Sequence, residues 1–312
     1  MSAAFHGAKY CWMNGSVIET EKALVSAMEP IYYGIFEGIR AYAEGDVNSK
    51  GKTHFKGWND HMDRLWRSAA VNDLPMIYSK KEILEATRET IRANGFEGSC
   101  YIQPRVWPKA GTGRYSGAEA HFVLPVWEMP TRLGRGNSRF SQECKLIVSS
   151  WRRIAPDALP AQAKSWANYA NSALAGREAS RYGYDGAVFL DNRGFVSEGT
   201  GTCIMIVRKG KVITPPVTAS ILESITRGYF IEFIEEDLGI PVDVRDLTRL
   251  DLYAADEIFM CGTGGEVQAI TSVDDYKIGE LFPGPITSRI HEYYTDIVTA
   301  QVPKRMNWLV PV

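Results

Sequence analysis

Cysteine is scarce in this chain, and what there is lies scattered. Cys11, Cys100, Cys144, Cys203 and Cys261 stand alone among 312 residues, odd in number and without a C-x-x-C pair. That argues against a disulfide framework or a zinc site and leaves reduced, mostly buried thiols. The five histidines, His6, His54, His61, His121 and His291, show no metal-ligand spacing, so no metal is expected. An excess of one charge is missing too: 35 Lys+Arg face 37 Asp+Glu, a net charge of -2. A nucleic-acid protein usually carries a basic face, so that partner is not expected. No apolar run approaches the roughly 20 residues that span a bilayer. The first twelve residues lack the basic patch and apolar run of a secretory signal. Together these absences predict a cytoplasmic protein with no membrane partner. Three signature motifs are also absent. No G-x-x-x-x-G-K-[ST] phosphate cradle, no G-x-S-x-G elbow and no G-x-G-x-x-G after an early strand occurs.

What is present is an ordinary globular composition, 45% hydrophobic and 23% charged, at a length that suggests about two domains. Ser79-Lys80-Lys81-Glu82 has the form of a capping box and opens a helical run that stops at Asn94-Gly95. Residues 120–127 read as a buried strand. The Pro-, Gly- and charge-rich stretch 128–137 reads as an interdomain linker. Beyond it, 145–149 predicts a strand, 169–182 a helix ending at Gly183, and 185–191 a strand. Residues 203–207 and 212–214 predict a hairpin around the polar turn 208–211. Apolar residues at helical spacing predict a helix over 225–238, and 257–260 a short buried strand. Mixed strands and helices in each half predict an α+β fold. The expected division is a small α/β domain over 1–127 and a large one over 138–312, with a ligand cleft between them.

A few polar residues sit in otherwise apolar stretches. Lys164 has small or aromatic neighbours and no acid within four residues. A buried lysine loses its proton more readily than a solvated one, which suits a Schiff-base lysine; a surface lysine before a helix is the plainer alternative. Glu198 lies in Ser197-Glu198-Gly199-Thr200-Gly201-Thr202, where glycines allow close backbone approach, or where it is a simple loop acid. Cys261-Gly262-Thr263-Gly264-Gly265 offers backbone N–H groups and a hydroxyl to an anion, or is a plain glycine turn. Ile225-Thr226 opens a helix, whose N-terminus favours phosphate. Arg64 supplies a fixed charge or a solvated helix face.

In order and spacing, these segments resemble the fold-type-IV pyridoxal-phosphate transaminases, and in particular the branched-chain amino-acid aminotransferases. The resemblance runs through the stretch from Tyr33 to Tyr42, through His61-Met62-Asp63-Arg64-Leu65, and through Lys164 with Asn168-Tyr169. It continues through Gly183-Tyr184-Asp185, 197–201, Thr214-Pro215-Pro216, Ile225-Thr226-Arg227, Ala255-Asp256-Glu257 and Gly262-Thr263. It implies the two-domain class IV fold with pyridoxal 5′-phosphate in the interdomain cleft. It implies Lys164 as the catalytic Schiff-base lysine, Glu198 facing the pyridine nitrogen, and Tyr169 at the ring oxygen. Arg64, Ile225, Thr226 and Thr263 would hold the phosphate. Thr263 and Gly264 would present N–H groups to the substrate carboxylate. Tyr33, Phe36, Gly38, Arg40, Tyr101, Gln103, Arg114 and Trp127 would form the substrate pocket. The partners implied are an amino donor, a 2-oxo acid acceptor, and a second copy in a homodimer or larger homo-oligomer.

The chain departs from the resemblance in places. Gln103 stands where branched-chain members carry an arginine that holds an acidic acceptor, and a neutral amide cannot make a bidentate ion pair. Arg105, Arg114 or Arg40 could compensate, and Arg114, in the glycine-rich stretch 111–115, is the expected one. Ser224 replaces a glycine, Gly264-Gly265 stands for two alanines, and Pro130 for a pocket tyrosine. These changes raise an alternative within the fold, an (R)-selective amine:pyruvate transaminase. A D-amino-acid transaminase or aminodeoxychorismate lyase is a further one, disfavoured by Phe36-Glu37-Gly38-Ile39-Arg40. From another class comes a non-catalytic metabolite-binding protein, disfavoured by Lys164 and Glu198 together.

Overall fold

Local chemistry sets several elements directly. Ser79 caps the helix Lys80–Asn94: its side chain accepts from Glu82 N–H, and the Glu82 carboxylate accepts from Ser79 N–H at 2.7 Å. Gly95, at φ 70°, closes the same helix in the left-handed region. Lys209 and Gly210 both take positive φ, 51° and 75°, between the strands Cys203–Arg208 and Lys211–Thr214. Two such residues make the turn whose twist matches a hairpin. The strands expected near 120, 145, 185 and 257 are found as Ala120–Glu128, Lys145–Arg152, Gly186–Leu190 and Glu257–Gly262. The helices expected over 169–182 and 225–238 are Trp166–Arg181 and Ile225–Glu236. The computed structural model of the protein describes residues 7–109, 119–129, 131–134 and 140–312.

The chain divides into two compact units. The first holds residues 1–131, 163–167 and 296–312, and the second holds 132–162 and 168–295. This grouping differs from a linear split near 128–137. The last strand, Leu309–Pro311, pairs with Thr53–Lys56, and Ile35 bridges Ser165, so both stretches belong with the first unit.

The first unit carries an antiparallel sheet. Its main path runs Leu309–Pro311, Thr53–Lys56, Ile39–Ala43, Cys100–Ile102, Ala120–Glu128, Tyr10–Met13, Ser16–Glu19. Ile35–Phe36 and Arg105–Pro108 join beside Ala120–Glu128. Helices Trp58–Val71 and Lys80–Asn94 bring Met62, Leu65, Ile83 and Ile91 into a core with Ile35, Ile39, Phe55, Phe122 and Leu124. Burying such side chains is worth about 25 cal/mol for each Å² of apolar surface removed from water.

The second unit carries two five-stranded sheets. One runs Val196–Gly199, Gly186–Leu190, Lys145–Arg152, Ser272–Val273, Tyr276–Lys277. The other runs Val242–Val244, Lys211–Thr214, Cys203–Arg208, Glu257–Gly262, Glu266–Ala269. Val188, Val196, Ile204, Ile206, Leu252 and Ile258 share one apolar cluster. Among the described residues, no helix is long and apolar enough to cross a membrane.

Candidate active site

The residues expected at a site divide between the two units. In the first unit the centre is a fully buried carboxylate, Glu37. Arg64 donates to it from two nitrogens, Nε to Oε1 at 2.6 Å and Nη2 to Oε2 at 2.8 Å. His61 Nδ1 lies 2.8 Å from Oε2, and the Gly38 N–H donates to the same oxygen at 3.1 Å. Positions 61 and 64 are one helical turn apart on Trp58–Val71, so one helix face delivers both partners. Burial alone would push the Glu37 carboxyl up, but the Arg64 guanidinium and His61 outweigh it and hold it well below the usual carboxylate range. Burial pushes His61 down to about 4, against the opposing pull of Glu37. The ring is therefore neutral at pH 7, and Nδ1–H is the donor to Glu37.

Lys164 belongs to the first unit and its backbone is fixed twice. Its N–H donates to Ser68 Oγ at 3.0 Å, and its carbonyl accepts from the Phe36 N–H at 3.0 Å. Its half-buried side chain places Nζ 4.7 Å from the centroid of the Phe36 ring. Phe36 stacks on Trp166, with centroids 4.2 Å apart and planes at 20°. Gly38 and Tyr101 form a second contact: a Cβ at 38 would lie 1.8 Å from the tyrosine Oη, so only glycine fits. Tyr101 packs on Trp127 at 4.9 Å. Arg40 is buried in Ile39–Ala43 and donates to the Met129 carbonyl at 2.6 Å. Tyr33 ends a short turn and packs on the core. Gln103 and Trp127 line a cavity of about 720 Å³ together with Arg105, Trp107 and Trp166. Arg114 lies outside the described residues.

In the second unit Glu198 is 6% exposed, on the strand Val196–Gly199. It lies on a buried strand, not in a loop. Arg153 Nε pairs with its Oε1 at 2.9 Å, and the Leu222 N–H donates to the same oxygen at 3.2 Å. At Gly199 a Cβ would meet the Met260 methyl at 2.2 Å and Thr202 Oγ1 at 2.9 Å, so those side chains would have to shift. Thr226 and Thr263 are brought together, with hydroxyl oxygens 3.2 Å apart. Thr226 is the second residue of Ile225–Glu236, whose N-cap Ser224 accepts from the Arg227 N–H. The serine at 224 thus supplies a cap that a glycine could not. Thr263 and Gly264 lie in the turn between Glu257–Gly262 and Glu266–Ala269. At Gly265 a Cβ would sit 2.8 Å from Thr202. Two hydroxyls, a helix N-terminus and a glycine turn fit a phosphate. Tyr169, half-buried, stands in the first turn of Trp166–Arg181.

Sequence reasoning passed over Glu37, His61, Arg153 and Trp166. Glu37 offered a signal: a carboxylate between apolar neighbours must be paired if it is buried. Arg153 offered none. The five cysteines are free, and burial pushes Cys100 up to about 12 and Cys144 up to about 11, so neither is a ready nucleophile. Among the described residues no group of His, Cys, Asp and Glu is arranged to hold a metal.

A family model described as class IV amino-transferase matches residues 34–273. The branched-chain-amino-acid aminotransferase of Salmonella typhimurium is 37% identical over 311 residues, covering 98% of both chains. The Escherichia coli K12 enzyme of the same name is 37% identical over 308 residues, with 97% of each covered. Among solved structures, the branched-chain amino acid aminotransferase of Thermobaculum terrenum in its PLP form superposes with a TM-score of 0.90 at 36% identity, covering 98% of this chain and 99% of that one. The branched-chain aminotransferase of Thermoproteus uzoniensis with norvaline gives 0.88 at 37% identity, covering 98% and 99%. Match, coverage and the α+β architecture agree: the chain belongs to the class IV aminotransferases.

Proposed function

We propose that this aminotransferase uses pyridoxal 5′-phosphate to move an amino group between a branched-chain or other hydrophobic L-amino acid and a 2-oxo acid. The observation that carries it is Glu198, a buried carboxylate kept in place by Arg153, which suits a fixed anion beside a protonated ring nitrogen. When bound, the cofactor supplies an electrophilic carbon and an electron sink. Lys164 would hold the cofactor through Nζ, and its amine is suited to move a proton at the substrate α-carbon. Glu198 would face the ring nitrogen and favour its protonated form, and Tyr169 would donate to the ring oxygen. Arg64, whose orientation is set by Glu37, would contribute charge to the phosphate. Ile225 and Thr226 would contribute backbone N–H groups and a hydroxyl to it, and Thr263 a second hydroxyl. Thr263 and Gly264 offer N–H groups to the substrate carboxylate. Phe36, Tyr101 and Trp127 supply apolar surface suited to a hydrophobic side chain, with Tyr33, Gly38 and Arg40 shaping it.

An (R)-selective amine:pyruvate transaminase is the second reading, favoured by the neutral Gln103. One panel separates the two: L-leucine, L-valine, D-alanine and (R)-1-phenylethylamine as donors, against pyruvate and 2-oxoglutarate. The proposal expects turnover with the L-amino acids and its abolition in Lys164→Ala, with the visible absorbance of the purified protein lost as well. Turnover confined to the (R)-amine with pyruvate would support the second reading. No turnover with any pair, or full activity in Lys164→Ala, would overturn the assignment of roles. The homodimer implied by the resemblance is tested by light scattering of the purified holoenzyme.

A further inference from the structure

The helix Trp58–Val71 delivers more than His61 and Arg64 to the first unit. Its buried face continues to Ser68, 1% exposed, and Asn72 stands at its C-cap. Positions 61, 64, 68 and 72 are three or four apart, so they share one face. Ser68 Oγ accepts from the Lys164 N–H at 3.0 Å. The Asn72 side-chain amide reaches the next residue along, donating to Ser165 Oγ at 3.1 Å and to the Ser68 carbonyl at 2.7 Å. Ser165 is buried and bridges Ile35.

These contacts hold a stretch that no regular element holds. Lys164 lies in neither strand nor helix, two residues before Trp166–Arg181. A backbone N–H there has no ladder or helix partner, and Ser68 supplies one. On the other side the Lys164 carbonyl accepts from the Phe36 N–H, and Phe36 adjoins Glu37, which grips Arg64 through both carboxylate oxygens. Two routes within one unit thus tie the lysine main chain to Arg64. One runs along the helix, where Ser68 sits four residues, about 6 Å, past Arg64. The other runs through Phe36 and Glu37. A lysine amine rides on a flexible stem, so the point where the stem starts decides what the amine can reach. A reacting group misplaced by about 1 Å can lose roughly 10²-fold in rate.

We propose that Ser68 and Asn72 are positioning residues for Lys164: the helix that carries Arg64 also fixes the origin of the lysine side chain relative to that charge. The inference rests on the transaminase reading, in which Lys164 holds the cofactor and Arg64 meets its phosphate. Substitution at Ser68 should therefore loosen the lysine end of the cofactor site and leave the phosphate end in place.

The test compares pyridoxal 5′-phosphate with pyridoxine 5′-phosphate, which has the same phosphate arm but an alcohol in place of the aldehyde that a lysine attacks. Affinities of both for the apoenzyme are read by quenching of tryptophan fluorescence in wild type, Ser68→Ala, Asn72→Ala, Lys164→Ala and Thr87→Val. Thr87 is the control: its hydroxyl, equally buried on the other helix of the unit, donates to the Ile83 carbonyl at 2.7 Å. Ser68→Ala should weaken pyridoxal phosphate about fivefold, the size of one neutral hydrogen bond, and pyridoxine phosphate less than about twofold. Asn72→Ala should show the same selectivity with a smaller loss, and Thr87→Val should keep the wild-type ratio of the two affinities. In saturating cofactor, kcat of Ser68→Ala should fall by about fivefold or more while the donor KM stays within about twofold. An equal loss of both ligands, a wild-type ratio in both Ser68→Ala and Asn72→Ala, or the same shift in Thr87→Val would overturn the proposal. In each of these cases the cofactor role of Lys164 stands, provided that Lys164→Ala still loses its preference for the aldehyde. A wild type that binds the two ligands alike, or a Lys164→Ala that binds pyridoxal phosphate as tightly as wild type, would overturn that role and the proposal together.

Discussion

Each unit buries one glutamate against one arginine, yet the two pairs are built differently. Glu37 is enclosed: Arg64 grips both its oxygens, and His61 and the Gly38 N–H share one of them. Glu198 has its Oε1 2.9 Å from Arg153 Nε, and the same oxygen accepts from the Leu222 N–H at 3.2 Å. The arginines differ as well. Arg153 also contacts the Asn171 side-chain oxygen at 3.4 Å and lies 5.7 Å over the Phe189 ring. The difference separates two uses of a buried charge. Glu37, gripped on both oxygens by Arg64, holds an arginine still, whereas Glu198, set between Arg153 and a backbone N–H, is the group held in place.

Removing the charge of each glutamate tests that distinction. Glu37→Gln leaves Arg64 buried with a neutral partner, and breaking a buried pair costs about 3–5 kcal/mol. Urea unfolding should show this, with cofactor affinity falling as Arg64 loses its orientation. A loss below about 1 kcal/mol would break the comparison. Glu198→Gln should do the reverse. Arg153 keeps Asn171 and Phe189, so the stability loss is smaller, about 1–3 kcal/mol. Turnover in saturating cofactor should drop roughly 10²–10³-fold, the scale of losing one preorganised electrostatic partner. A variant that turned over normally would remove Glu198 from the ring nitrogen.

The same contrast explains how much was legible beforehand. The capping box at Ser79, the turn at Lys209-Gly210 and the strands near 120 and 257 came from local rules, and the structure has them. Lys164 and Glu198 stood out because a charge among small or apolar residues is locally odd. Glu37 was equally odd but unexplained, because its reason is Arg64, 27 positions away. Arg153 looked like one of two ordinary arginines before Ile154, and only the folded strand places it against Glu198. The linear domain split missed 163–167 and 296–312 for the same reason: a strand pairing such as Leu309 with Lys56 leaves no local mark. Arg114, preferred on loop composition, lies outside the described residues.

Acid sharpens the comparison further, because the Glu37 pair includes a histidine. His61 has a folded pKa of about 4 against an ordinary 6.5, so the fold prefers its neutral form. Its contribution to stability is complete above about pH 6.5 and is lost as pH falls toward 4, about 3 kcal/mol in all. Glu37, whose pKa is lowered, contributes stability above the ordinary carboxylate pKa and loses it only at more acid pH. Between about pH 6.5 and 4.5 the Glu37 cluster therefore responds through His61. His54 and His291, also lowered by burial, add their own slopes. The decisive measurement is the difference between wild type and His61→Asn, which keeps a donor toward Glu37. Stability should fall less steeply with acid in the variant, and parallel curves would show that His61 stays out of the titration.

The smallest effect concerns anion binding without charge. In the second unit the phosphate donors proposed are the Thr226 and Thr263 hydroxyls, 3.2 Å apart, and the start of a twelve-residue helix. These groups are neutral, so losing one leaves no buried ion behind, unlike the loss of Glu37. Thr226→Val keeps the shape and removes one hydroxyl. Losing one hydrogen bond to a charged group costs about 1.5 kcal/mol, roughly a tenfold weaker hold on pyridoxal phosphate, with little change in the unfolding midpoint. Thr263→Val should behave alike. Because the two hydroxyls touch, the double variant should lose less than the two single losses combined. Cofactor titration of the apoenzyme, followed by absorbance, reads all three. Strict additivity would mean that the hydroxyls act separately, and an unchanged affinity in both single variants would leave the helix start and Arg64 to hold the phosphate.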